Sequence, residues 1–196
     1  MRKWGFITLV FLLWGSLLLP QEEKKVLFVI ASHNFRDEEL LYPRNILERE
    51  GIKTFLASSK KNTVRGMLGT EVRVDFLIQE VEVKNFDAVI FVGGSGAQEY
   101  WDNSYAHRLA LQAVKEGKVL GAICIAPVTL AKAGVLKGKK ATVWWSPGMD
   151  LRETLKKQGA IYTGRAVEVD GKIVTGNGPQ AAKKFGETIL SLLKKK

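Results

Sequence analysis

Cysteine and histidine are scarce in this chain: its 196 residues hold one cysteine, Cys124, and two histidines, His33 and His107. A single cysteine excludes an intrachain disulfide and any multi-cysteine metal site. The histidines stand far apart without ligand-like spacing, so no metal is expected, and no cofactor either. Basic and aromatic residues are not interleaved as in nucleic-acid-binding motifs, and specific nucleic-acid binding is not expected. The formal charge is +10, but the lysines and arginines are dispersed, and several sit beside glutamate, as in Gln21-Glu22-Glu23-Lys24-Lys25. That pattern reads as a solvated surface.

Apolar runs long enough to approach a membrane span are also few, and the one present is N-terminal. Met1-Arg2-Lys3 precedes the apolar residues 4–20, which end abruptly at a polar edge, the order of an export signal. No Ala-x-Ala-like cleavage site precedes that edge. Residues 1–24 are therefore expected to be a signal peptide or an uncleaved anchor, with residues 4–20 as the membrane tether. Arg2 and Lys3 would remain inside, placing residues 25–196 in the periplasm or on the outer face of the membrane.

The remainder can bury one full core, with 46% of the chain hydrophobic. Apolar strands are expected at 26–31, 52–57, 86–92, 119–123 and 139–144. Residues 64–69 and 72–75 read as a small hairpin, and 166–175 as a second with an Asp170-Gly171 turn. Helices are expected at 37–51, 104–116, 127–134, 149–158 and from Pro179 to about 193. Pro43, inside the first of these, predicts a kink or a later start. Strand and helix alternate, so the fold class is α/β, a mostly parallel sheet with helices on both faces. In such sheets the site lies at the carboxyl ends of the strands. Three loops qualify: 32–39, 93–99 and 124–127.

Cys124 closes the apolar strand Val119-Leu120-Gly121-Ala122-Ile123, and Pro127 stands just inside the helix that follows. Unpaired N–H groups at a helix start favour a thiolate, so a lowered pKa is expected if the thiol is reactive; a buried, inert core thiol is the alternative. Gly93-Gly94-Ser95-Gly96 lacks both dinucleotide spacing and the Walker lysine. Its glycines suit close backbone approach to a reacting oxygen.

Taken together, Phe35-Arg36-Asp37-Glu38-Glu39-Leu40-Leu41-Tyr42-Pro43, the Gly66/Gly69/Asp75 hairpin, Phe91-Val92-Gly93-Gly94, Ala122-Ile123-Cys124, Ala133-Gly134-Val135-Leu136-Lys137-Gly138-Lys139 and Val174-Thr175-Gly176-Asn177-Gly178-Pro179 resemble the ThiJ/PfpI superfamily. The resemblance spans nearly all of residues 25–193. It implies a flavodoxin-like three-layer sandwich, a homodimer or larger homo-oligomer, and a cysteine on a nucleophile elbow. Cys124 then matches the nucleophile and Glu39 the carboxyl facing it, while the N–H groups of Gly94 and Ile125 match the oxyanion site. Without the family, Glu39 reads as an ordinary carboxylate of a helix start.

The chain departs from the family at three places. Ile125 replaces the histidine that follows the cysteine in family proteases. Trp145-Ser146-Pro147 lacks the histidine found before a proline in the deglycase-like branch. Arg36 stands where a second carboxylate is frequent. Peptide hydrolysis is thus disfavoured, and the expected chemistry is attack on a small reactive carbonyl or a glycated protein adduct, with redox sensing or a chaperone-like role as the alternative. Arg36 and His33 are the candidate substrate-binding side chains, and Trp144, Trp145, Tyr100 and Trp101 are candidate pocket walls.

Overall fold

The computed structural model describes residues 23–195. The expected leader therefore lies, but for its last two residues, outside the described part. Among the described residues no helix is long and apolar enough to cross a membrane.

In chain order the first half contains β1 (Lys25–Val29), α1 (Asp37–Arg49), β2 (Lys53–Ser58), the short strands β3 (Thr63–Arg65), β4 (Glu71–Arg73) and β5 (Phe76–Leu77), then β6 (Ala88–Phe91) and α2 (Ser104–Lys115). The second half contains β7 (Val119–Ile123), α3 (Pro127–Lys132), β8 (Lys140–Ala141), β9 (Trp145–Ser146), β10 (Met149–Asp150), α4 (Arg152–Lys157), β11 (Ile161–Tyr162), β12 (Val167–Asp170), β13 (Ile173–Gly176) and α5 (Ala182–Lys194). Seven strands form the central sheet in the order β12-β13-β7-β6-β1-β2-β5. Every pairing in it is parallel except β12 with β13.

Strands β1, β6 and β7 are buried along nearly their whole length. A central parallel strand is covered on both faces, which is why these segments are continuously apolar rather than alternating. Helices α1 and α5 pack together on one face, and α2 lies on the other beside α3. This is the three-layer α/β sandwich. Gly186 of α5 permits the close approach of α1, because a Cβ there would stand 2.7 Å from Pro43 Cα.

Strand order reverses between β1 and β6, so the loops leaving these two strands diverge and open a crevice at their carboxyl ends. Cys124 follows β7, the neighbour of β6, and reaches the same crevice.

Three local expectations are corrected. Helix α1 starts at Asp37 and continues through Pro43, so the proline does not delay it. The strand expected at 139–144 pairs only at Lys140–Ala141. Beyond that point its backbone has other acceptors, since the Thr142 N–H donates to Thr175 Oγ1 at 2.9 Å and the Trp144 N–H to Cys124 O at 2.8 Å. The helix expected from 149 begins at Arg152, because Met149–Asp150 pairs back onto Trp145–Ser146. The hairpin expected around residues 64–75 forms as β3 and β4.

Candidate active site

The Cys124 backbone has φ of +64°, a left-handed conformation costly for a side chain with a Cβ. It is pinned from both sides. The Cys124 N–H donates to Gly176 O at 2.9 Å, and its carbonyl accepts from the Trp144 N–H. Strand β13 and the segment after β8 thus overdetermine the turn that lifts the thiol out of the sheet.

Glu39 comes from the first turn of α1 and is fully buried. Its Oε2 accepts the Gly93 N–H at 3.1 Å. Its Oε1 is buried without a hydrogen-bond partner of standard geometry, and the carboxyl as a whole faces the Cys124 thiol. Residue 93 must be glycine for the two to meet: a Cβ there would lie 2.5 Å from both Cys124 Cβ and Glu39 Oε2. The N–H groups of Gly94 and Ile125 point to the sulfur. Gly94 has φ of +96°, and a Cβ on it would collide with the Arg36 N atom. Trp101 fixes the Ile125 peptide through a 3.3 Å bond from Nε1 to Ile125 O, and His107 Nε2 lies 2.9 Å from Trp101 O.

Burial sets the protonation of this pair. Desolvation raises the Glu39 carboxyl to about 8, although Cys124 and the Gly93 N–H stabilise its charged form. Cys124 is 8% exposed, and burial, followed by the Glu39 charge, pushes its thiol up; the Gly94 and Ile125 N–H groups pull it partly back. The lowered thiol pKa expected from the helix start is therefore corrected. Helix α3 has six residues and starts three positions after Cys124, too short and too distant a dipole to offset desolvation.

The remaining candidates divide. Arg36 borders the cup: its N–H donates to Gly93 O at 2.9 Å, and its guanidinium is within electrostatic reach of Glu39 and Cys124. Glu38 holds that guanidinium through Nε at 2.8 Å and Nη2 at 2.9 Å. His33 is exposed, with Nδ1 3.2 Å from Ser32 Oγ, and it bonds there rather than to the Cys124–Glu39 pair. Tyr100 is no pocket wall; it is buried and donates to Ile30 O at 2.8 Å. Trp144 and Trp145 line a cleft of about 390 Å³ with Tyr162, Asn177 and Gln180, and Arg152 stacks on Trp145 at 4.8 Å. A larger groove of about 730 Å³ lies at the opposite ends of the strands, near Lys25, Phe86 and Lys118. Neither cavity is lined by Cys124 or Glu39. Among the described residues no group of three or more histidine, cysteine, aspartate or glutamate side chains could hold a metal ion.

Sequence reasoning missed the backbone clamps on Cys124, which no side-chain motif announces. It also missed Asp37, which is buried and accepts the N–H groups of Leu68 and Thr70 at 2.8 Å each, tying the β3–β4 loop to the start of α1. Asp37 next to the helix start, with Gly66 in the hairpin, was the available signal: a Cβ on Gly66 would strike the Asp37 carboxylate.

Comparison with known proteins decides the lineage, because the DJ-1/PfpI family profile matches residues 24–192. The chain belongs to the DJ-1/PfpI family. An uncharacterised protein of Methanocaldococcus jannaschii is 44% identical over 172 residues, covering 87% of this chain and 83% of that protein. Deglycase PfpI of Pyrococcus furiosus is 34% identical over 170 residues, covering 87% of this chain and 99% of the relative. Among solved structures, a ThiJ/PfpI domain protein from Brachyspira murdochii superposes with a TM-score of 0.83 at 31% identity, covering 87% of this chain and 97% of that one.

Proposed function

We propose that this DJ-1/PfpI-family chain is a cysteine-dependent enzyme acting on small reactive carbonyls or their adducts on proteins, in the manner of a deglycase or glyoxalase. The observation that carries the reading is the fully buried Glu39 carboxyl facing a thiol held on a strained turn. Support also comes from the relative named as a deglycase, which aligns over nearly its whole length.

A carboxyl that ionises near pH 8 is matched to a general base at neutral pH. The ionised Glu39 takes the proton from Cys124 as the sulfur adds to the carbonyl carbon. A C–S bond forms, and the C=O π pair moves to oxygen. The Gly94 and Ile125 N–H groups hold the developing oxyanion. Glu39 returns the proton to that oxygen, which completes a hemithioacetal. Base activation at the moment of attack thus replaces a standing thiolate.

Peptide hydrolysis is disfavoured because Ile125 follows the cysteine and neither histidine side chain bonds to the pair. The test is methylglyoxal consumption by the wild type, Cys124→Ser and Glu39→Gln. Cys124→Ser should abolish turnover, and Glu39→Gln should slow it by about 10²-fold or more. Unchanged turnover in Cys124→Ser overturns the reading. The same buried carboxyl, when protonated, can donate to an oxidised sulfur, and a peroxide-dependent gain of about 32 Da without carbonyl turnover would favour redox sensing instead.

The proposal includes export of the domain by residues 1–24 and self-association into a homodimer or larger. Membrane fractionation and light scattering test these two elements.

A further inference from the structure

Arg36 gives this site a feature that the general chemistry does not require. Its backbone is fixed against the cup by the bond to Gly93 O, and its side chain is 29% exposed at the rim. Glu38, 27% exposed, grips Nε and Nη2 and holds the guanidinium plane in one orientation. A guanidinium has five N–H donors. Glu38 occupies two, and among the described residues the Nη1 pair and one Nη2 hydrogen have no hydrogen-bond partner. A clamped guanidinium with a free edge matches a carboxylate in geometry, and its plane is already ordered. The described neighbours within its electrostatic reach are Glu38, Glu39 and Cys124. Of these, Glu38 is engaged in the clamp, and Glu39 is fully buried with its Oε2 taken by the Gly93 N–H. The free edge thus belongs to a cation whose own backbone is bonded to Gly93, the residue packed against both Cys124 and Glu39.

We infer that Arg36 forms an anion subsite beside Cys124, which favours carbonyl substrates with a carboxylate next to the reacting carbon, the 2-oxo acids, over neutral aldehydes. This inference rests on the carbonyl reading above for the reaction but not for the subsite. Cys124 adds to the 2-oxo carbon of such a substrate, an aldehyde carbon in glyoxylate, as already described, and the carboxylate takes no part in the bond changes.

The experiment has two arms. In the first, Cys124 is alkylated by iodoacetate and by iodoacetamide, in each case with the C–S bond formed and iodide expelled. The two reagents differ only in charge beside the reacting carbon, so their rate ratio cancels any change in intrinsic thiol reactivity. The iodoacetate/iodoacetamide ratio should fall about tenfold in Arg36→Gln and be partly retained in Arg36→Lys, the effect of a charge-assisted hydrogen bond discounted for the exposed rim. A ratio unchanged in Arg36→Gln overturns the subsite. In the second arm, glyoxylate and neutral glycolaldehyde compete with alkylation. Glyoxylate should protect the wild type at about tenfold lower concentration than it protects Arg36→Gln, whereas glycolaldehyde should not distinguish them. If the alkylation ratio shifts but neither aldehyde protects, the subsite stands and the carbonyl reading fails. If both aldehydes protect without regard to Arg36, the carbonyl reading stands and the 2-oxo acid preference fails.

Discussion

Replacing Glu39 by glutamine should stabilise the fold and damage the chemistry, and the stabilisation should grow with pH. The folded-state carboxyl is raised from 4.5 to about 8 by burial. For a carboxyl with a raised folded pKa, the native state binds the proton more tightly than the unfolded state does. Its contribution is therefore fully favourable below the unfolded pKa and is lost progressively as pH rises toward 8. Linkage with these two values gives a loss of roughly 2–3 kcal/mol between pH 5 and pH 7, and one to two more by pH 9. Glutamine keeps the shape and an acceptor for the Gly93 N–H but does not titrate. The stability difference between Glu39→Gln and wild type, from urea melts at pH 5, 7 and 9, should therefore widen by about those amounts. Using the change with pH removes any constant difference between glutamine and protonated glutamate. A gap that stays flat from pH 5 to 9 would mean that Glu39 ionises normally in the fold, and its role as a base near pH 8 would go with it.

Other expectations follow the same geometry. Iodoacetamide alkylation of Cys124 should rise through an inflection near pH 8 that disappears in Glu39→Gln; an inflection unmoved by the substitution counts against base activation. Gly93→Ala, forcing a Cβ to 2.5 Å from Cys124 Cβ and Glu39 Oε2, should cost about 1–3 kcal/mol in denaturant melts and abolish that inflection. Asp37 is opposed by burial but held below the usual carboxylate range by its bonds to Thr70 and Leu68. Its stabilisation is present above the unfolded pKa and lost as pH falls, so Asp37→Asn should cost about 1–3 kcal/mol at pH 7 and narrow the gap to wild type in acid melts. Tyr100→Phe, which removes the bond to Ile30 O and the acceptor for the Ser59 N–H, should cost about 1–2 kcal/mol at pH 7 without changing alkylation.

The central strands were legible because burial on both faces leaves an uninterrupted apolar signature, as in 26–31 and 119–123. The elbow was legible from Cys124 at a strand end followed by Pro127. The short pieces between 139 and 158 were not, because their backbone groups are consumed by long-range partners. Trp144 binds Cys124 O and Thr142 binds Thr175 Oγ1, and no local periodicity encodes either bond. The protonation of the thiol, unlike the raised pKa of Glu39, runs against the sequence reading for a related reason. A sequence shows a thiol near a helix start, but the depth at which it is buried depends on Gly93 being flat enough for Glu39 to close over it. Arg36 was recognised as a departure from the family, yet its clamp by Glu38 two positions later became evident only once the helix start was folded.

The direction of β1 has a practical consequence. Glu23 and Lys24 immediately precede its first residue, Lys25, whereas Cys124 follows the last residue of β7, a parallel strand of the same sheet. The chain therefore enters the domain on the side remote from the thiol, about 17 Å away along a five-residue strand. A bead, a fused reporter or a bilayer joined ahead of residue 23 would hold the domain by its base and leave the crevice open to solutes. Attachment through the N-terminus is thus the orientation in which an immobilised form should keep its reactivity.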